Sequence, residues 1–352
     1  MKKETFNLVV RFLVGLAASL LICAGMIQTE KLVSSKPLIQ QASGLKGTET
    51  VMTVDGEPVE SWEYLYMASY SAQSLSYYGV TDLSTELGEG FTAADYVAQQ
   101  AEAQVKQQAA VRKWAKDMGI TLTEDDGATL QQQKEAYGED LQKVLQINGL
   151  TEEQYDQLMS TTLLYNRLYA AYCTTDGALR PSDKDLLALA EEHSLMTADV
   201  LFISTAELDD AAKADAKALM GDYARQLSTA DDKAAAFAAL EAGENVTVLA
   251  SNTYDGCDET TLNKALAALA EDQVSDVIED ETGYYVALRR AVDLNAVAEM
   301  AFGEDLSARI SGAQVEHNDS VYGTIDLASF YTRYYAGQQK LYAQLMAEQS
   351  AG

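Results

Sequence analysis

The spacing of apolar positions divides the body of the chain into an early helical zone and a later mixed zone. The stretch "ETVMTVDGEPVESW" alternates apolar and polar residues, which predicts one short strand that turns at Asp55-Gly56 before a helix beginning near Ser61. Helical spacing then continues through consecutive long helices, predicted at about residues 92–118, 124–146, 151–173 and 182–194. Gly119 and Gly149 lie just past two of the predicted helix ends. The early zone is therefore predicted to be an all-α unit behind one leading strand.

The period changes to short strands mixed with helices after about residue 195. The predicted strands are 197–204, the stretch "ENVTVLASNTY" and two strands joined at "EDETG", and the predicted helices are 209–228, 231–242 and 260–270. This order is β-α-α-β-α-β-β over about 95 residues, which is typical of a small α/β sandwich. From about residue 297 the pattern returns to helix. The predicted fold class is α+β.

The first residues have the pattern of an export signal. Lys2, Lys3 and Arg11 precede an uninterrupted apolar run over residues 12–27. Positive charge stays in the cytoplasm, so the body is expected outside it. Together with the flanking apolar residues the run reaches roughly the 20 residues that a bilayer requires, which favours an uncleaved transmembrane signal anchor. The alternative is a secreted protein whose signal peptide is cleaved near the small residues at positions 23–25.

Charge and the scarcity of chemistry-bearing residues exclude several functions. The formal net charge is −29, which disfavours nucleic acid and anionic lipid headgroups as partners. Beyond the leader there are two cysteines, Cys173 and Cys257, and the whole chain has two histidines, His193 and His317. None of them has a metal-ligand spacing, so no metal or other cofactor is predicted. The cysteines are expected as free thiols, although an exported location would permit a bridge.

The order of the later elements resembles parvulin-type (PpiC-like) peptidyl-prolyl isomerases, whose first strand often reads AxHIL and whose last strand reads GYHII. The corresponding stretches here are "TADVLFIS" and "GYYVALRR". The flanking stretches "VMTVDGEPVESWEY", "NGLTEEQYDQL" and "LRPSDKDLLALAEEHS" resemble exported foldases of the SurA and PrsA type. The likeness covers nearly everything from about residue 49 to residue 295.

This resemblance implies a division of the chain into an anchored chaperone body and an inserted isomerase domain. The expected segments are a cytoplasmic tip and transmembrane anchor (1–30), a linker (31–50), a helical SurA-N-like chaperone domain (51–194), a parvulin-like domain (195–295) and a C-terminal helical segment that packs on the chaperone domain (296–352).

The resemblance also assigns candidate site residues, and it does so with substitutions. The positions matched to the two family histidines are Asp199 and Tyr285, which could face one another and share a hydrogen bond. The alternative is that they are tolerated polar residues. The family's pocket phenylalanine is matched by Ala267, while Leu262 keeps an apolar side chain. Loss of both histidines and of the phenylalanine predicts weak or absent isomerase activity.

Tyrosine is unusually frequent, with 20 Tyr against 7 Phe. Trp62, Tyr66 and Tyr70 recur every four residues and so share one face of the first predicted helix. Such a stripe is typical of a packed core, and it could alternatively form a cradle for unfolded polypeptide.

The sequence features and the family resemblance are compatible with three functions. The first is an extracytoplasmic foldase or chaperone that binds newly exported, unfolded polypeptides. The second is an active prolyl isomerase with an atypical pocket. The third is a non-catalytic scaffold of the cell envelope. Suppressed aggregation of an unfolded client separates the first function from the third, and proline turnover separates the second from both.

Overall fold

The computed structural model of the protein describes residues 36–243 and 245–351. The helices are α1 (Leu38–Ser43), α2 (Ser61–Tyr77), α3 (Ala93–Asp117), α4 (Glu124–Tyr137), α5 (Leu141–Asn148), α6 (Glu152–Cys173), α7 (Asp183–Glu192), α8 (Asp210–Ser228), α9 (Lys233–Ala238), α10 (Thr261–Ala268), α11 (Leu294–Gly312), α12 (Asp319–Tyr322) and α13 (Leu327–Ala351), with one 3₁₀ turn at Gly138–Asp140. The strands are β1 (Thr50–Val54), β2 (Glu57–Glu60), β3 (Glu86–Gly88), β4 (Phe91–Thr92), β5 (Leu195–Ser204), β6 (Thr247–Asp255), β7 (Ile278–Glu279), β8 (Gly283–Arg290) and β9 (Val315–His317). Many helices and a small sheet region confirm the predicted α+β class.

The chain divides into two compact units. Among the described residues, unit 1 combines those up to Tyr169 with those from Gly303 onward, and unit 2 is the stretch Ala170–Phe302. Unit 1 is mainly helical, and unit 2 contains the β-α-α-β-α-β-β series from β5 to β8.

Unit 1 contains a small sheet that the sequence pattern only partly predicted. The predicted single strand before Ser61 is a hairpin of β1 and β2, because Asp55 and Gly56 both have positive φ (50° and 79°), as a two-residue type I′ turn requires. The tail, predicted to be helical throughout, also contributes a strand. β9 pairs antiparallel with β1 through Met52 and His317, which gives the order β2-β1-β9.

The helices of unit 1 begin and end where the sequence supplies caps. Thr92 and Thr123 each form a capping box, with Asp95 and Asp126 at the third helical position. The helix predicted over residues 124–146 is instead divided into α4 and α5, because Gly138 adopts φ 53° between them. The core combines α2 and α3 with the C-terminal helix α13. Its fully buried aromatic side chains include Trp62, Tyr64, Phe330 and Tyr334.

An ion pair links α2 to α3 at the edge of this core. Arg112 Nη1 lies 2.8 Å from Glu63 Oε1, and Nη2 donates to Oε2 at 3.4 Å. The Glu63 side chain is only 2% exposed, whereas that of Arg112 is 24% exposed. The carboxylate is therefore the buried partner, and the guanidinium reaches it from the edge of the core.

Unit 2 is built on an antiparallel sheet of order β6-β5-β8-β7. Side chains alternate between its two faces, and each face packs on helices. Leu201, Val286 and Leu288 lie on the face that packs against α8 and α9, called the α8 face below. Val200 and Ala287 lie on the opposite face, the α10 face, where they pack against α10.

The glycine that opens β8 has a packing role. A Cβ on Gly283 would lie 2.0 Å from the Ile203 carbonyl oxygen and 2.7 Å from Phe202 Cε2, so the β5 backbone would have to move. Gly283→Ala is therefore expected to destabilise unit 2 by about 1–3 kcal/mol. Gly221 in α8 has open space around its Cα, so Gly221→Ala should stabilise by about 0.5–1 kcal/mol. Hydrogen exchange of β5 amides measures both, and equal effects of the two variants would contradict the packing role.

The predictions of a membrane anchor and of free cysteines have different outcomes. No helix within residues 36–243 and 245–351 is long and apolar enough to cross a bilayer, and the predicted anchor lies outside the described residues. Cys173 and Cys257 are both free thiols. Burial raises the pKa of Cys173 to about 12, so that thiol stays protonated at neutral pH.

Candidate functional site

Strand register decides which of the proposed site residues can meet. In the β5/β8 ladder Asp199 stands opposite Leu288, and Phe202 stands opposite Tyr285. Positions 199 and 202 are an odd number of residues apart, so their side chains lie on opposite faces of the sheet. The prediction that Asp199 and Tyr285 face one another is therefore wrong.

Asp199 lies on the α8 face and has two structural partners. Its Oδ1 accepts a hydrogen bond from the Ser251 amide at 2.7 Å, and its Oδ2 lies 2.6 Å from Arg290 Nη1. Ser251 has φ 51° at an irregularity in the β5/β6 pairing. The buried carboxylate thus fixes the bulge of β6 and pairs with the arginine.

The residue of β5 that shares a face with Tyr285 is Val200. It stands opposite Ala287, two positions along β8 from Tyr285, and is fully buried. Placing the alanine of the AxHIL pattern on Ala198 also puts Val200, not Asp199, at the histidine position. The strand register and the AxHIL pattern therefore both move the position matched to the family histidine from Asp199 to Val200.

Tyr285 is held on the α10 face by a stacked ring and a chain of hydroxyl groups. Its ring stacks on Phe202 with centroids 4.7 Å apart. Its hydroxyl lies 2.5 Å from Thr282 Oγ1, and Thr282 Oγ1 donates to Asp280 Oδ1 at 2.6 Å. Because the single Thr282 hydroxyl proton goes to the carboxylate, Tyr285 is the donor in the first bond. Burial raises the pKa of Asp280, but hydrogen bonds from Thr282 and Gly283 outweigh it and hold that pKa below its ordinary value.

The helical wall of this face is supplied by leucines of α10. Leu266 is fully buried against the sheet, and Leu262 is half-buried beside it. Ala267 is exposed and points away, so it cannot stand where the pocket phenylalanine was expected. The helical period explains the correction, because positions 262, 266 and 269 share the inward face and 267 does not.

A second tyrosine completes the polar part of the α10 face. Tyr254 on β6 packs against the same apolar cluster as Tyr285, and burial raises the pKa of Tyr254. Its phenol therefore stays protonated at neutral pH. Sequence reasoning did not single out Val200, Phe202, Tyr254, Thr282 or Leu266. The alternation of β5 and β8 was the signal that could have identified the strand residues.

Neither histidine contributes to this face. His193 caps the C-terminal end of α7, and His317 lies in β9 of unit 1 with its Nε2 3.0 Å from Glu102 Oε2. Among the described residues there is no cluster of three or more His, Cys, Asp and Glu that could hold a metal ion. The α10 face presents phenol, hydroxyl and amide groups beside apolar surface.

The tyrosine stripe of α2 belongs mostly to the core. Trp62 and Tyr66 are buried in the cluster that joins α2 to α13, so an unfolded chain cannot reach them in this conformation. Trp62 Nε1 donates to Glu60 Oε2 at 2.8 Å, which fixes the indole ring. Tyr70 is half-buried. The exposed aromatic side chains of this helix end are instead Tyr77 and Tyr78.

Comparison of the sequence with known proteins returns no matching family profile and no matching curated protein. Comparison of the structure with solved structures returns foldases and chaperones. The chain is similar to the foldase protein PrsA from Lactococcus lactis, with 18% identity, coverage of 81% of this chain and 99% of that one, and a TM-score of 0.29.

Two further solved structures are of the same type. The peptidylprolyl isomerase PrsA from Bacillus anthracis is 15% identical over 67% of this chain and 95% of that one, with a TM-score of 0.25. A structure of the SurA-like chaperones PEB4 and Cj1289 from Campylobacter jejuni is 11% identical over 76% and 98%, with a TM-score of 0.20. These are the protein types that the sequence motifs resemble. At these identities and TM-scores, the function has to be argued from the residues of this chain.

Proposed function

We propose that this chain is an extracytoplasmic, membrane-anchored foldase or chaperone of the parvulin, SurA/PrsA-like type, with weak or no isomerase activity. It binds unfolded, newly exported polypeptides. Residues 1–30 anchor it, residues 31–50 are a linker, residues 51–194 and 296–352 form the chaperone body, and residues 195–295 form the isomerase-like domain. The motif order of the sequence and the β-α-α-β-α-β-β series of unit 2 support this assignment.

The observation that carries the proposal is the composition of the α10 face. Phe202, Leu262 and Tyr285 are half-buried and present apolar and aromatic surface above the buried Val200 and Leu266. The exposed Thr282 adds a hydroxyl group at one side. Such a surface suits contact with apolar and aromatic segments of an extended chain. Rotation about an Xaa-Pro bond has a barrier of about 18–20 kcal/mol, and only interactions that strengthen in the twisted state lower it. The buried Val200 side chain offers no such polar interaction where the family has a histidine.

One observation favours the alternative of an active isomerase with an atypical pocket. The Asp280, Thr282 and Tyr285 side chains form a continuous hydrogen-bonded chain that ends in a phenol on the α10 face. If a bound peptide replaced Thr282 as the acceptor of its single proton, this phenol could donate to a twisted amide and stabilise it. Tyr285→Phe would remove that donor while retaining the ring that stacks on Phe202.

The full-length protein in detergent tests the proposal through two measurements. Cis-to-trans conversion of a short Xaa-Pro peptide should proceed within about twofold of its uncatalysed rate, which corresponds to a time constant of tens of seconds. Aggregation of reduced, denatured lysozyme should be suppressed by stoichiometric protein. Acceleration that is lost in Tyr285→Phe would establish the isomerase alternative. If the protein neither accelerated proline isomerisation nor suppressed lysozyme aggregation, the non-catalytic scaffold would be the remaining alternative.

A further inference from the structure

The outer strand of the unit 2 sheet has one side without a strand partner in the described chain. β6 pairs with β5 on one side and ends the sheet order β6-β5-β8-β7 on the other. An edge strand of this kind presents outward N–H and C=O groups that another extended chain can pair with. Its first five residues, Thr247–Ser251, are all exposed.

This edge lacks most of the features that prevent strand addition. The sequence "TVLASNTYD" contains no lysine, arginine or proline, and its one protective device is the bulge at Ser251. Val248 and Leu249 are 44% and 37% exposed, one on each face of the strand. The segment before the bulge is therefore a neutral, apolar edge that is open to a partner.

A pocket of about 640 Å³ lies beside the start of this strand. Ile203, Leu208 and Leu219 give it apolar walls, and Asn245, two residues ahead of β6, forms part of its lining. Glu207 and Asp215 also line it. An apolar side chain of an added strand could enter the pocket while a cationic neighbour meets the carboxylates.

Charge selects between the occupants that such an edge could take. A second copy of this chain would bring together two bodies that each carry a formal charge of −29, which opposes edge-to-edge pairing. A chain with alternating apolar and basic residues has the complementary charge and supplies the same backbone groups. The favoured occupant is therefore foreign and cationic.

We propose that the exposed edge of β6, with the adjoining pocket at Glu207 and Asp215, binds extended, basic and apolar polypeptide segments by strand addition. The proposal rests on the proposed function, since it names the binding surface and the substrate class of the chaperone. The surface differs from the α10 face, because strand addition uses the free backbone of β6 and the pocket lies on the side of α8. Clients with alternating lysine and valine would be preferred over acidic ones.

The test uses the full-length protein and a fluorescein-labelled peptide of four Val-Lys repeats. Val248→Lys places a charge on the edge and should weaken binding at least ten-fold. Leu187→Lys changes a similarly exposed leucine on α7 in the same unit and should leave binding unchanged. Glu207→Gln with Asp215→Asn should weaken binding three- to ten-fold and reduce its salt dependence.

Backbone pairing is tested by two methylated forms of the same peptide. One carries N-methyl groups on its valines and the other on its lysines, so both keep the parent charge. An added strand uses every second N–H toward its neighbour, so one form should lose binding and the other should retain it. Amides of residues 247–250 should gain protection from hydrogen exchange with the parent peptide.

Several outcomes would overturn the proposal. Equal binding of the parent peptide to the wild type and Val248→Lys is one, and retained binding of both methylated forms is another. A dimer that sedimentation detects without peptide and that Val248→Lys abolishes would identify a second copy as the occupant. If the wild type suppresses lysozyme aggregation but binds no peptide, the edge proposal fails while the chaperone function stands.

Discussion

Replacing Arg112 by alanine is expected to lower the stability of unit 1 by about 3–5 kcal/mol. The substitution leaves Glu63 in α2 without its guanidinium partner, and its side chain is only 2% exposed. An uncompensated buried carboxylate costs more than the pair contributes, because water cannot reach it. The loss of unfolding free energy should therefore be larger than is usual for a partly exposed arginine.

Tryptophan fluorescence reports this change selectively. The chain contains two tryptophans, Trp62 and Trp114, and both are buried in unit 1. Urea unfolding followed by their fluorescence therefore measures unit 1 even if unit 2 unfolds separately.

Two further variants serve as controls for Arg112→Ala. Lys113→Ala removes the neighbouring pair with Asp117, whose partners are both solvent-exposed, and should change stability by no more than about 0.5 kcal/mol. Glu63→Gln combined with Arg112→Met replaces both charges and should recover most of the loss. If Arg112→Ala shifted the fluorescence midpoint no more than Lys113→Ala, the buried pair would have no role in stability.

Asp199→Ala is expected to destabilise unit 2 by about 2–3 kcal/mol. It removes the acceptor of the Ser251 amide and the partner of Arg290 in one step. Arg290 is 34% exposed and can regain water, so the expected loss lies below that for Arg112. Asp199→Asn keeps an oxygen for Ser251 and should cost less than the alanine variant.

Hydrogen exchange resolved to peptides measures this effect, since amides of β5 and β6 flank the bulge. Glu279→Ala is the control, because its pair with Lys217 is solvent-exposed on both sides and should contribute little to stability. If hydrogen exchange of these amides were unchanged in Asp199→Ala, Asp199 would be a tolerated polar residue without a role in stability. Faster exchange with unaltered peptide binding would confirm a purely structural role.

The order of elements could be predicted because it depends on local spacing. The switch from helical to alternating periodicity located the β-α-α-β-α-β-β series of unit 2. In unit 1, Asp55-Gly56 correctly predicted the turn between β1 and β2. Helix starts were accurate where a threonine or serine cap was present, as at Thr92 and Ser182.

The site was harder to predict because it depends on register and on distant pairing. A shift of one residue moves a strand side chain to the other face, which is how Asp199 was chosen in place of Val200. The same kind of error placed Ala267 on the inward face of α10, where Leu266 lies. β9 has three residues, too few for any period to show, and its existence depends on pairing with β1.

Because β9 pairs with β1, the folding of unit 1 depends on the order in which the chain is synthesised. The Gln314 amide donates to Asp55 Oδ1, 259 positions earlier, and Ala313, Leu327 and Phe330 complete the core around α2. The N-terminal residues of unit 1 are synthesised first, but they cannot complete their core until the C-terminal residues of the same unit have been synthesised. Unit 2 is continuous in sequence, so it can fold while the rest is still being delivered. A protein proposed to protect unfinished chains would thus pass through the same unfinished state itself.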